Sequence, residues 1–168
     1  MLNKESLITK LIKFNIEFEV HEHEAFFTVN DSVKKRSSIN GSHTKNLFFK
    51  NKKNQFFLFS CAENTQIDIK KLGKSLGIGN ISFANKEYLN KYLGVYPGAV
   101  SPFGLLNDNE NVVNFYLDIN LKKFNRVNFH PLVNTSTINL DYNSFIYFLI
   151  KNNKNLNFFD FNKYSLIV

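Results

Sequence analysis

Gly98-Ala99-Val100-Ser101-Pro102-Phe103-Gly104 is the stretch on which the fold turns. A loop bounded by glycine and proline can point several backbone N–H groups at one spot, which makes a concave site for an anion or a polarised carbonyl oxygen. On its N-terminal side, Asn85 caps a helix that reaches Leu93 and is stopped by Gly94. On its C-terminal side, residues 112–117, 126–129 and 135–140 read as strands, and Asp141 caps an amphipathic helix to about Lys151. Strands and helices mix without strict βαβ alternation, so the expected class is α+β.

Farther toward the N-terminus, Leu7, Ile8, Leu11, Ile12 and Phe14 recur at helical spacing and predict a first helix over residues 4–14. Residues 16–21 alternate apolar and polar and predict a strand. Thr28-Val29-Asn30-Asp31 forms a candidate capping box for a short basic helix through Arg36. Leu47-Phe48-Phe49-Lys50 and Gln55-Phe56-Phe57-Leu58-Phe59 flank the polar turn Asn51-Lys52-Lys53-Asn54 and predict a hairpin. A helix over 68–76 ended by Gly77, and a short strand over 81–83, follow. The tail from Asn152 is Asn-rich, with Leu156, Phe158, Phe159 and Phe161 available to dock it.

At 168 residues the chain fits one domain with a sizeable core, and no linker or repeat divides it. Its net charge of +7 suits a polyanionic partner such as RNA. The lysines are dispersed in small clusters, as on a folded surface that cradles phosphates, rather than in a basic arm. Cys61 is the single cysteine, which excludes an intrachain disulfide and a cysteine metal cluster. The N-terminal segment has no secretory apolar core, and the run Phe145-Ile146-Tyr147-Phe148-Leu149-Ile150 is too short to span a bilayer. A cytoplasmic protein without membrane contact is expected.

Four segments resemble one family when taken together. They are His43-Thr44-Lys45-Asn46-Leu47-Phe48, Lys53-Asn54-Gln55-Phe56-Phe57-Leu58, the stretch from Leu93-Gly94-Val95-Tyr96-Pro97 through the Gly98 loop to Asn107-Asp108, and Arg126-Val127-Asn128-Phe129-His130-Pro131-Leu132-Val133-Asn134-Thr135. In this order they resemble the YbaK-like aminoacyl-tRNA editing domains. The nearer likeness is to freestanding prolyl-tRNA editing proteins related to the insertion domain of bacterial prolyl-tRNA synthetases. The likeness covers about residues 26–140 of a single domain spanning 1–168. It implies a mixed, barrel-like sheet flanked by helices, and removal of alanine wrongly attached to proline tRNA. It also implies tRNA as partner and prolyl-tRNA synthetase as a possible second one. The chain departs from the family near residues 21–26, where relatives often carry a proline.

The resemblance places the family's lysine at Lys45, its glycine loop at Gly98 and Pro102, and its histidine at His130. Hydrolysis of an aminoacyl ester needs a placed water and donors for the developing oxyanion, which the backbone N–H groups after Gly98 can supply. Lys45 could hold the terminal phosphate or orient the ester. His130 could orient water, contact the ribose or move a proton. Expected substrate-binding residues are Phe27, Thr28, Asn46, Ala99, Ser101 and Pro102, and the basic run Lys34-Lys35-Arg36 is expected to meet tRNA. His21-x-His23 would share one strand face, but no third ligand accompanies the pair, so neither metal nor cofactor is expected. Ser101 lacks a nucleophile-elbow context. Two other readings stay open on the residues: a non-catalytic RNA-binding or regulatory protein of the same fold, and a deacylase of another specificity, such as cysteine on proline tRNA.

Overall fold

A computed structural model describes residues 1–25 and 36–168. The Thr28–Asp31 capping box and most of the basic helix expected to end at Arg36 lie outside the described residues.

The chain forms α1 (Lys4–Lys13), β1 (Phe18–Glu22), β2 (Ser42–Asn51), β3 (Phe56–Ala62), α2 (Ile69–Ser75), β4 (Ile81–Phe83) and α3 (Lys86–Tyr88), which widens into a π-turn at Leu89–Leu93. After the Gly98 loop come a 3₁₀ segment at Pro102–Asn107, β5 (Val113–Asp118), a second 3₁₀ segment at Ile119–Lys123, β6 (Arg126–Phe129), β7 (Ser136–Asp141), α4 (Tyr142–Lys151), β8 (Asn157–Asp160) and β9 (Ser165–Ile167). Among the described residues the sheet order is β1-β7-β6-β2-β3-β5-β8-β9, with β4 pairing β2. The β2·β6, β3·β5 and β5·β8 pairs are parallel and the others antiparallel, so this is a mixed sheet in an α+β fold.

Local chemistry explains these elements. Asn3 and Ser6 close a capping box on α1, and Leu7 and Leu11, one turn apart, are fully buried. Asp141 accepts from the Ser144 amide and starts α4, which buries Tyr142, Phe145, Phe148 and Leu149. In β3 the apolar run is continuous because both faces are covered. Phe56 and Leu58 join the main core, while Phe57, Phe59 and Cys61 join a second core with Phe49, Leu72, Phe159 and Phe161.

The C-terminal tail does more than dock. It adds two strands: β8 lies parallel to β5, and β9 returns antiparallel to it. Gly41 (φ +86°) feeds β2 beside β6, and a Cβ there would sit 2.3 Å from the Arg126 carbonyl oxygen, so only glycine allows this approach. Phe103 anchors the Gly98 loop: its ring meets Phe129, Phe145 and Phe148 edge-on at centroid distances of 5.8–5.9 Å.

A candidate active site where two parallel strands part

β2 and β6 pair in parallel only at Ser42↔Val127 and His43↔Asn128 and then diverge. Farther along the same edge, residues 49–51 of β2 pair with β4. Between these ladders Thr44-Lys45-Asn46 meets no strand on that edge among the described residues. A cavity of about 220 Å³ opens there, lined by Thr44, Lys45, Asn46, Gly98, Val100 and His130. Diverging strands leave a crevice because neither backbone fills the gap between them. The cavity joins three segments far apart in sequence: the middle of β2, the Gly98 loop and the residue after β6.

The β2 wall is braced from behind. The Thr44 hydroxyl donates to the Asn128 carbonyl at 2.7 Å, and the Ser60 hydroxyl donates to Asn46 Oδ1 at 2.6 Å. The Lys45 ammonium donates to the Thr65 carbonyl, which holds a flexible side chain in one place. Lys45 faces Cys61 across the β2–β3 ladder. Burial pushes the Cys61 thiol up to about 12 against the pull of Lys45, so it stays protonated and is no nucleophile.

In the loop wall Gly98 sits at φ +94°. The Ala99 N–H is spent on the Tyr96 carbonyl at 3.0 Å. Among the described residues the Gly98, Val100 and Ser101 amides have no protein acceptor, and of these three residues Gly98 and Val100 line the cavity. Ala99, Ser101 and Pro102 are buried and do not line the cavity. They shape the loop from beneath: the Ser101 hydroxyl accepts from the Phe103 amide at 3.3 Å, and the Gly104 amide donates to the Ser101 carbonyl at 3.0 Å. Val100 and Thr44, outside the set expected to bind substrate, line the cavity instead.

His130 closes the third side. Its Nδ1 lies 2.9 Å from the Ser136 carbonyl oxygen. A carbonyl only accepts, so Nδ1 carries the proton and Nε2 keeps the lone pair. Burial lowers the His130 pKa from its ordinary value against the opposing Ser136 bond, and the nearby Arg36 guanidinium acts in the same direction as burial. The ring is therefore neutral near pH 7, with an acceptor nitrogen available for a water or hydroxyl proton.

Two more imidazoles and a guanidinium lie near His130. The His23 ring lies 6.2 Å from that of His130, and its Nε2 is 2.9 Å from the Thr137 hydroxyl. His43 Nε2 is 3.0 Å from the Arg36 carbonyl oxygen, and the Arg36 guanidinium pairs with Glu63 at 3.2 Å. Arg36 thus borders the site with its side chain mostly covered. Phe27, Thr28, Lys34 and Lys35 lie outside the described residues. His21 and His23 have separate partners: His21 meets Glu19 at 3.0 Å, while β1 ends before His23. Among the described residues no group of three or more His, Cys, Asp or Glu is arranged to hold a metal ion.

Residues 23–148 match the model of the aminoacyl-tRNA editing domain family. The chain is 35% identical over 140 residues to the prolyl-tRNA editing protein ProX of Acetoanaerobium sticklandii, covering 83% of this chain and 85% of that protein. It is 34% identical over 139 residues to the mouse prolyl-tRNA synthetase associated domain-containing protein 1, covering 80% of this chain and 82% of that protein. Among solved structures, a candidate trans-editing enzyme for prolyl tRNA synthetase superposes with a TM-score of 0.66 at 19% identity, covering 98% of this chain and 94% of that one. That last likeness speaks for the fold alone.

Proposed function

The chain belongs to the aminoacyl-tRNA editing domain family, and on that premise we propose that it acts in trans to release alanine from mischarged proline tRNA. The activity class is aminoacyl-tRNA hydrolysis, a carboxylic ester cleavage. The observation that carries the reading is the convergence of Lys45, Gly98 and His130 on one small cavity.

The chemistry follows from the walls. The ester carbonyl lies against the loop with its oxygen toward the Gly98 and Val100 amides. Water adds to the carbonyl carbon, and the charge that develops on oxygen falls on those donors. One such donor contributes about 2.7–4 kcal/mol of transition-state stabilisation. His130 Nε2 accepts a hydrogen bond from the attacking water or from the free ribose hydroxyl, and Lys45 holds the phosphate or orients the ester. The carbon–oxygen bond to ribose then breaks, and the ribose oxygen leaves with a proton. The products are free amino acid and intact tRNA.

Selectivity for alanine over proline follows from size. Val100 is the branched side chain on the cavity wall against which a prolyl ring would be tested, and steric exclusion of the larger group is the stronger direction of discrimination. Cysteine, intermediate in size, is the specificity that competes. Among the described residues no helix is long and apolar enough to cross a membrane, and the substrate would place the protein with cytoplasmic tRNA.

The test is single-turnover deacylation of alanine, cysteine and proline on proline tRNA, with alanine on its own tRNA as control. Rapid release of alanine from proline tRNA alone is expected. A faster cysteine rate would reassign the specificity, and no release from any substrate would leave an RNA-binding protein.

A further inference from the structure

The cavity holding Lys45, Gly98 and His130 measures about 220 Å³. Sites that enclose a drug-sized ligand run to roughly 300–1,000 Å³. The catalytic cavity therefore has room for the aminoacyl end, and the nucleotides that carry the ester must lie over its rim.

The loop that lines this cavity also lines a second one. Gly98 lines the first, while Pro97, about 3.8 Å away along the chain, lines the second. That second cavity holds about 460 Å³ and is lined by Lys86, Glu87, Asn90, Val95, Tyr96 and Pro97. Tyr96 is 46% exposed, and its hydroxyl is held by Asn134 at 2.9 Å, so an aromatic ring is presented in a set position. Lys86 and Asn90 stand four residues apart where α3 runs into its π-turn, both exposed. Further positive charge stands close by, with Lys50 of β2 over the Tyr88 ring at 5.0 Å and Lys91 over the Tyr92 ring at 4.9 Å. Aromatic faces for bases beside cations for the backbone are how single-stranded nucleic acid is held without sequence readout.

We propose that this groove holds an unpaired nucleotide of the tRNA 3′ strand, its base against Tyr96 and Pro97 and its phosphate paired with Lys86. The assignment rests on the deacylase reading above. The groove flanks the candidate site at the Pro97–Gly98 step of the loop; its lining sets Lys86 beside the carboxylate of Glu87, and Lys50 and Lys91 close by make the local balance positive. A larger cavity of about 640 Å³ borders the site at Thr65 and likewise holds one lysine, Lys123, and one carboxylate, Asp118, but no residue of the Gly98 loop lines it.

The test measures KM and kcat with full-length mischarged tRNA, and equilibrium binding of the uncharged tRNA, for Lys86→Glu, Tyr96→Ala, Tyr96→Phe and Lys123→Glu, each checked by thermal melting. Lys86→Glu and Tyr96→Ala should raise KM and the dissociation constant about tenfold, with kcat of Lys86→Glu within about twofold of the parent. Tyr96→Phe keeps the ring and should keep KM, and Lys123→Glu should leave both constants in place. Unchanged constants in Lys86→Glu and Tyr96→Ala, or a loss of affinity in Lys123→Glu instead, overturn the assignment. Were the parent protein to bind tRNA without cleaving the ester, the deacylase reading would fall, while the binding constants would still decide the groove.

Discussion

The Tyr96 hydroxyl donates to Asn134 Oδ1 at 2.9 Å and accepts from the Asn134 amide at 3.2 Å. One phenol thus ties the loop carrying Gly98 to the segment that follows His130. Both walls are loops, and the free energy that holds them in register comes from few contacts. This clasp is one of them.

Tyr96→Phe removes the clasp and keeps the ring. A net hydrogen bond contributes about 0.5–1.5 kcal/mol, so the melting temperature should fall by only a few degrees. The single-turnover rate should fall about tenfold, because the loop donors and His130 lose their mutual position, while KM stays near the parent value. A rate unchanged at saturating tRNA would reduce the clasp to a stabilising contact.

Lys45→Ala should cut the single-turnover rate at least a hundredfold and leave the fold intact. The side chain is only partly buried and gives up one bond to the Thr65 carbonyl, a loss expected within about 1 kcal/mol of stability. Deacylation at the parent rate, measured on a sample with a normal melting curve, would remove Lys45 from the reaction.

The pH dependence has a definite sign. Burial lowers the pKa of His130, and of His43, from the ordinary 6.5. Both rings are neutral in the folded protein where the unfolded chain has begun to take up protons. Their contribution to stability is therefore full above about pH 6.5 and is lost as pH falls through the folded values. Catalysis that uses neutral His130 should stay level from pH 8 to 6.5 and decline only below it, after subtraction of uncatalysed ester hydrolysis. An acid midpoint at or above 6.5 would show that another group governs the rate. Denaturant unfolding at pH 7.5 and 5.5 should give the lower stability at 5.5.

Much of the fold was readable because local signals agreed. The Asn3-led α1, the hairpin around residues 51–54 and the Asp141-capped α4 each combine hydrophobic period with a cap or turn. The lining of the candidate cavity was partly readable, since Lys45, Asn46, Gly98 and His130 come together in it. What could not be read depends on distant pairing. Nothing in the order of residues says that β2 leaves β6 after His43, yet that parting makes the cavity. The Glu22↔Ser136 register brings the His23 amide to the Thr135 carbonyl and its ring beside His130, whereas spacing alone suggested a partnership with His21. In the loop, which residues are buried (Ala99, Ser101) and which line the cavity (Val100) depends on packing that residue order does not show. In the tail, frequent asparagine hid the strands of Phe159 and Leu166, which form because β5 offers a free edge.

The Gly98 loop offers the sharpest test of the mechanism. Gly98 sits at φ +94°, outside the range ordinary side chains adopt easily, and a Cβ there would lie 3.4 Å from Asn134 Nδ2. Gly98→Ala therefore strains the backbone, at a cost of order 1–3 kcal/mol, and brings a methyl to the cavity lining. If the loop were only a turn, the variant would melt earlier and retain its rate per folded molecule. If the Gly98 and Val100 amides receive the oxyanion, relieving the strain turns a donor away, and the rate should fall about 10²–10³-fold. tRNA affinity should hardly change, since the substitution removes no cation and binding to a polyanion is dominated by cations. Single-turnover rate and tRNA affinity measured on one folded sample separate the cases, and a near-normal rate would leave the loop structural and the oxyanion without its donors.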